Sequence, residues 1–515
     1  MKKIIFILFL AVATFGCKKD FLDLSNLNEI SSENFWKNEQ DAALAINGIY
    51  DVLQDRALYS GNLNGTGGLP IFDGIGDNCF GNYKFEGPGN FMEGNITPSH
   101  GLFGGLWGAS YRGIFRANTA IENIPKIPLA NIRDSVKKVY LGQALFLRAL
   151  FYTNLAIYFR DIPLILEPKD PGEGAARKST YAVTSAQIVK DLTEAIAVLP
   201  TSYPAGQFGY ATKGAALGLL ARFELYNKNY QAVVDATSQI MALNYNLHSN
   251  YSQLFTEQGE LSNEIIFSVR FFQDGISNNT ELFSATFLQA PKINIQPMRN
   301  LVNDYNCTDG RPITSSPLYN ATTPKANRDP RLAASIYFRN DIFLTDLNRA
   351  FTGNTATGFG QKKYIRSSAS PTGISAFSPG GQDFYLIRFA DVLLMRAEAL
   401  VELNQLSEVY TLINRVRARV SMPAIENVVG EGANRTQAQL KTIVQKERRI
   451  ELAFEGLRYF DLKRWGQLQE AFQRATADNV AGYRPLYQAL KANVFPVPES
   501  ELNANGGIGQ IFAWQ

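Results

Sequence analysis

Histidine and cysteine are nearly absent, with two and three residues in a chain of 515. So few imidazoles and thiols leave no set for zinc, haem or iron–sulfur ligation. A surplus of charge is missing as well. Fifty basic residues face 47 acidic ones for a formal charge of +3, far from the positive bias of a protein that works on phosphate backbones. Nucleic acid is not an expected partner. No stretch after the N-terminus reaches about 18 uninterrupted apolar residues, the minimum for a spanning helix. Mean hydropathy is −0.13, which excludes a polytopic membrane protein. No Ser/Gly linker, charge run or composition shift divides the chain. Gly65 to Gly68 is not followed by Lys-Ser/Thr, so no phosphate loop is present. His100 and His248 lie far apart without a nucleophile motif nearby, which leaves a catalytic triad unsupported. Asp73, Asp77, Asp304 and Asp309 do not form a calcium-loop pattern. No cofactor is expected, and a structural calcium elsewhere stays open.

What the chain has in plenty is aromatic side chains: 12% of residues, with 34 Phe and 23 Tyr. Sugars and peptides are gripped by such rings. At the N-terminus, Lys2 and Lys3 precede an apolar run from Ile4 to Val12, too short to span a core of roughly 30 Å. Residues 1–16 therefore read as a secretory signal peptide. Thr14-Phe15-Gly16-Cys17 resembles a bacterial lipobox, with Thr14 where leucine is usual. Cys17 is the expected lipidation site, and acyl chains such as palmitate would be the only membrane anchor, each buried CH₂ contributing about 0.8 kcal/mol. An ordinary signal peptide with a coincidental cysteine is the other reading. Cys79 and Cys307 either pair in an oxidising compartment or remain two buried thiols.

Helical periodicity dominates the remainder. Phe35 to Leu53 carries Ala43, Ile46, Ile49, Tyr50 and Leu53 on one face, and Tyr140 to Tyr158 is a second long helix. Asp161-Ile162-Pro163 stops it, since the residue before proline leaves the α region. Thr212–Tyr226 and Tyr230–Leu243 read as a helical hairpin across Asn227-Lys228-Asn229. Phe384–Leu403 and Leu406–Val420 form another across Asn404-Gln405. Their small residues suit tetratricopeptide-like packing, with plain bundle packing as the alternative. Trp107 and Tyr111, four apart, look core-like. Two long excursions interrupt the helices, 60–106 and 270–380, with short extended runs at Ile265–Arg270 and Ala334–Phe338. Loops of that length are functional or disordered, and their aromatics favour function.

The C-terminal third carries motifs with a known likeness. They are Phe384-Tyr385-Leu386-Ile387-Arg388-Phe389-Ala390-Asp391 running on to Arg396-Ala397-Glu398-Ala399, Lys446-Glu447-Arg448-Arg449-Ile450-Glu451 running on to Lys463-Arg464-Trp465-Gly466, and the closing Phe495-Pro496-Val497-Pro498-Glu499. Leu147-Arg148-Ala149, Asp161-Ile162-Pro163-Leu164 and Asp329-Pro330-Arg331 agree with them. Together these resemble the SusD/RagB family from Cys17 to the end. The resemblance implies a mainly α-helical, SusD-like fold with tetratricopeptide-like hairpins as scaffold and irregular loops with short strands as the ligand face. It implies a single domain over 17–515, with 17–30 as a tether. It further implies an outer-membrane lipoprotein facing the cell exterior that binds nutrients, often glycans, and serves a SusC-like TonB-dependent barrel as its partner. Lys18, Lys19 and Asp20 are similar to surface-export signals of such lipoproteins.

Within the signature segment 446–466, read as one helix, Ile443, Ile450, Phe454 and Leu457 should face the core. Glu447, Glu451 and Glu455 lie four apart among arginines that would hold them ionised, a structural arrangement rather than a catalytic one. Trp465 is expected to anchor packing. The expected ligand-binding residues stand among the glycines of 72–91: Asp73, Asp77, Asn78, Phe80, Tyr83 and Phe91, with Phe72, Phe85 and Asn82 beside them. Phe272 and Asn278, near Gln273 and Asn279, would complete the site from the second excursion. Rings offer a flat face to the C–H side of a pyranose while amides and carboxylates bond its hydroxyls; the other reading is that these rings only pin a loop to the body. Three functions compete. The first is oligosaccharide binding for uptake without catalysis, the second peptide binding as in the RagB branch, the third secreted glycoside hydrolysis by a carboxylate pair.

Overall fold

A computed structural model describes residues 35–61, 68–168, 176–204, 206–272, 280–284, 294–344, 348–365, 380–430 and 432–515. Cys17 and the leader before it, and Asn278, lie outside the described residues. Helices make the scaffold: α1 (Glu39–Leu53), α2 (Gly101–Asn123), α3 (Asp134–Phe159), α4 (Tyr181–Val198), α5 (Lys213–Tyr226) and α6 (Tyr230–Met241). Each of these packs on the next, and α1 also touches α3. The chain returns as α7 (Phe389–Glu402), α8 (Ser407–Ala418), α9 (Gln437–Glu451), α10 (Arg458–Trp465) and α11 (Leu468–Ala477). Helix α7 docks on α6, α8 and α9, which joins the two halves.

The reasons are local first. Asn38 and Thr436 start α1 and α9 with capping boxes, and Thr212 caps α5 through the Ala215 amide. The two expected hairpin turns use left-handed residues, Lys228 at φ 61° and Asn404 at φ 57°. Close approach between helices needs missing side chains: a Cβ on Gly113 of α2 would collide with the Phe151 ring of α3. The core is strongly aromatic, with Phe495 packed among Tyr158, Tyr459, Phe91, Phe103 and Phe72.

Among the described residues, eight short strands pair in antiparallel twos. They are β1 (Cys79–Gly81) with β3 (Ile295–Pro297), β2 (Ile265–Val269) with β8 (Phe384–Arg388), β4 (Ile336–Tyr337) with β7 (Gly360–Gln361), and β5 (Ile342–Leu344) with β6 (Arg349–Ala350). Two expectations need correction here. The segment 384–388 is not the first turn of a helix but strand β8, because its partner β2 supplies the backbone bonds in a register that sets Ile265 opposite Arg388. The signature 446–466 is not one helix either. It breaks between α9 and α10 where Phe454 and Gly456 take φ of 66° and 74°, and a Cβ on Gly456 would strike the Leu69 carbonyl. Cys79 and Cys307 are both buried and both free.

That break lets the signature carboxylates converge on one buried guanidinium. Arg388, at the end of β8, is 1% exposed. It donates from Nε to Glu455 (2.7 Å), from Nη1 to Glu264 (2.8 Å) and Glu451 (2.6 Å), and from Nη2 to Glu455 (2.7 Å) and the Glu451 carbonyl (2.9 Å). All five of its N–H groups are used. Around it, Arg419 holds Glu451 and Glu264, Arg331 holds Asp329, Glu447 and Glu451, Arg417 holds Glu447, and Lys363 holds Glu455. These five cations and five carboxylates balance. Burial by itself would raise the carboxyl of Glu451, but Arg419, Arg388 and Arg331 outweigh it and hold the group far below the usual range. Lys363, desolvated but beside Glu455, is lowered to about 8. A second cluster repeats the pattern: Arg448 bridges Asp391 and Asp461, Arg222 binds Asp391, and Arg464 binds Asp461 and Glu398. Trp465 donates its indole N–H to Glu398 at 2.7 Å, the packing role expected of it.

Replacing Arg388 by Ala strands three buried carboxylates, so urea denaturation should show a loss of about 3–5 kcal/mol. Arg112→Ala, which breaks only the exposed pair with Asp55, should cost under about 1 kcal/mol. Equal small losses in both variants would contradict a stabilising role for the buried cluster.

Candidate functional site

The first excursion enters the core before it reaches solvent. Asp73 accepts from the Gly456 amide (2.7 Å) and from Asn78 Nδ2 (2.6 Å). Asn78 in turn accepts from Arg449 Nε at 2.9 Å. Asp77 accepts from Arg458 (2.8 and 2.9 Å) and from Arg474 (2.7 Å). Burial would raise the Asp77 carboxyl, but Arg449, Arg458 and Arg474 outweigh it and keep the group ionised far below the usual range. These contacts staple residues 73–78 to α9, α10 and α11.

Asp73, Asp77, Asn78 and Phe91 are therefore corrected as ligand contacts. All four are buried, their polar atoms serve the protein itself, and the Phe91 ring packs against Tyr459 and Phe495. Phe80 is nearly as enclosed, its ring 4.9 Å from that of Tyr483. The physical cause is one that loop composition conceals: a carboxylate among glycines can face a buried guanidinium as well as a sugar hydroxyl.

What does reach solvent is the tip beyond β1. Tyr83 is half-buried, Lys84 is exposed, and Phe85 is 50% exposed. The rings of Tyr83 and Phe85 stand 5.5 Å apart at 49°, two faces of a shallow corner. Beneath them, the short turn Lys84–Glu86 closes at Gly87 (φ 105°), which lies against His100, the N-cap of α2. Lys84 pairs with Glu93. The tip is thus held at its base, with Phe85 the exposed ring at its end.

Phe272 forms a second exposed surface. It is 65% exposed just beyond β2, while its neighbour Phe271 is buried. Two residues earlier, Arg270 binds Asp383 at 2.9 Å. Gly209 lies so close to the Arg270 stem that a Cβ there would meet Arg270 Cγ at 2.5 Å, and its chain neighbour Phe208 is 52% exposed. The arrangement offers two aromatic faces and N–H donors, the elements of a sugar platform. Sequence reasoning missed Phe208 and Arg270. The signal was present in Gly206-Gln207-Phe208-Gly209, an aromatic between glycines like those of 72–91 but just before the helix read from Thr212 and outside the two long excursions.

Two carboxyl groups brace this surface from below. Asp383 accepts from Ser268 Oγ (3.0 Å) and the Phe271 amide (3.1 Å), and Glu260 accepts from the Asp383 amide (2.8 Å). Burial first, and then the Asp383 charge, push the Glu260 carboxyl up to about 8; burial also raises Asp383, with Arg270 opposing it. Folded Glu260 holds its proton more tightly than unfolded Glu260. Its contribution to stability is complete below about pH 4.5 and is lost as the pH rises through about 8. The melting temperature should therefore fall between about pH 5 and about pH 9, and Glu260→Gln, which keeps the acceptor for the Asp383 amide, should flatten that fall. Parallel curves for the two proteins would assign the dependence elsewhere.

Comparison with known proteins agrees with this architecture. A model of the SusD family matches residues 263–514, and a second family model, described as starch-binding and associating with the outer membrane, matches residues 20–225. A SusD-like protein of Formosa agariphila is 26% identical over 505 residues, covering 91% of this chain and 92% of its own. Among solved structures, a SusD-like carbohydrate-binding protein of Bacteroides fragilis superposes with a TM-score of 0.80 at 27% identity, over 92% of this chain and 100% of its own. A laminarin-binding SusD-like protein gives 0.73 at 25% identity, over 92% and 99%. Among the described residues no helix is long and apolar enough to cross a membrane. With both halves matched and the mainly helical fold shared, the chain belongs to the SusD family.

Proposed function

We propose that this protein is a cell-surface lipoprotein of the outer membrane, anchored through Cys17, that binds nutrient oligosaccharides without cleaving them and delivers them to a SusC-like TonB-dependent transporter. The observation that carries the reading is the contrast between aromatics. Most rings of the body are buried against one another, whereas the Tyr83–Phe85 pair, and separately Phe208 and Phe272, stand at the surface of their loops. Exposed flat rings over a rigid base bind sugar faces at little entropic cost. The names of the carbohydrate-binding and laminarin-binding neighbours point the same way, as does the starch-binding family description.

Hydrolysis has less behind it. The signature carboxylates Glu447, Glu451 and Glu455 are buried and fully engaged with arginine or lysine, and a general acid must reach its substrate. No observation favours a peptide over a sugar.

The test uses the soluble chain beginning after Cys17 and laminari-oligosaccharides as the probe, with affinity read by calorimetry. Tyr83→Ala and Phe85→Ala should each weaken binding by about 1–3 kcal/mol without shifting the melting curve, since neither ring supports the core. Full affinity in both variants would remove the loop tip from the site.

A further inference from the structure

A separate cleft lies among the hairpin strands β4 to β7. Lys325, Phe338, Arg339 and Asp341 line it together with the Thr323–Ala326 turn, around a volume of about 600 Å³, within the range of small-ligand sites. Its charge is lopsided. The only carboxylate on the wall, Asp341, is already committed twice: it pairs with Lys325, and its second oxygen accepts the Phe338 amide at 2.9 Å. Lys362 does not line the wall; its ammonium sits behind it, 5.5 Å from the centre of the Tyr337 ring, with one bond to the Ala333 carbonyl (3.0 Å). Burial, and then the positive charge of Lys325, lower the Lys362 pKa, with Asp341 opposing. Arg339 is exposed and has no ion pair among the described residues. Its stem is backed by Gly353, where a Cβ would come within 3.1 Å of Arg339 Cβ.

Three cations thus share one occupied carboxylate. Like charges gathered in this way repel one another, and an anion entering the cleft relieves the repulsion. The remaining wall is aromatic: Phe338 is half-buried, stands edge-on to Phe359 with ring centres 5.2 Å apart, and has the Lys325 ammonium 5.9 Å from its own. Cations beside an available ring match a sugar that itself bears an anion.

We propose that this cleft is a subsite for an acidic sugar residue, a uronate carboxylate or a sulfate ester, with Arg339 holding the anion, Lys362 adding positive charge from behind the wall and Phe338 meeting the C–H face of the ring. The proposal rests on the oligosaccharide-binding reading and deepens it by naming the ligand's charge. Guanidinium and ammonium groups donate charge-assisted bonds to either anion, so the probes must separate the two.

Calorimetry on the soluble chain should compare oligogalacturonate, sulfated laminari-oligosaccharide and neutral laminari-oligosaccharide, for the natural protein and for Arg339→Gln and Lys362→Gln. Both substitutions are at side chains outside the core, and melting curves verify folding. The expected result is binding of at least one acidic probe that weakens with added salt and falls about tenfold in either variant, with neutral binding unchanged. Whichever acidic probe binds names the anion. Binding of the neutral sugar alone, or acidic binding untouched by both substitutions, overturns the subsite and leaves the oligosaccharide reading intact. Binding of none of the three overturns both.

Discussion

Everything in this fold is arranged around charge that has been taken out of water. Arg388 cannot leave the interior without stranding Glu264, Glu451 and Glu455, and none of those can leave without stranding Arg388, Arg419 or Lys363. Such a cluster is not a cheap source of stability, because desolvation offsets most of the Coulombic gain. Its strength is geometric. A guanidinium with five fixed N–H directions accepts few arrangements of partners, so the end of β8, the end of α9 and the turn after it are set relative to one another.

The ligand face inherits that rigidity. Arg449 and Arg458 extend the buried charge outward to Asp77 and Asn78, and so the first excursion is gripped a few residues before its exposed tip. Phe272 is placed in a similar way, since Asp383 ties Arg270, Ser268 and the Phe271 amide to the start of β8. The signature residues and the exposed aromatic tips are thus divided by depth. Those that hold the fold together lie inside, and the rings of the proposed ligand face lie a few residues further along the same loops.

This division explains what could be read from the sequence. The helices were legible because an apolar stripe can only be satisfied by burial, and because the polar breaks at 227–229 and 404–405 mark the turns, with Lys228 and Asn404 taking the left-handed conformation. The strand Phe384–Arg388 was not, since a short apolar run looks the same in a helix or in a buried strand until its partner, more than a hundred residues earlier, is known. The break after Glu451 was hidden because a left-handed Phe454 leaves no mark in composition. Among the expected site residues, Phe272 does stand exposed and Tyr83 half-buried, as the rule that aromatics among glycines and polar residues reach the surface suggests. Asp73, Asp77 and Asn78 satisfied the same rule for a different reason: the arginine partners of Asp77 and Asn78, in α9, α10 and α11, and the Gly456 amide that Asp73 accepts from lie far along the chain.

The separation of a buried ionic frame from exposed aromatic tips is most directly tested by hydrogen exchange, read by mass spectrometry, with and without saturating laminari-oligosaccharide. Amides around residues 82–87, and around 206–209 and 270–272, should slow on binding, while those of α9 and α10 should exchange at the same slow rate in both states. Protection centred on α9 and α10, with the tips unchanged, would contradict the assignment of the signature residues to structure.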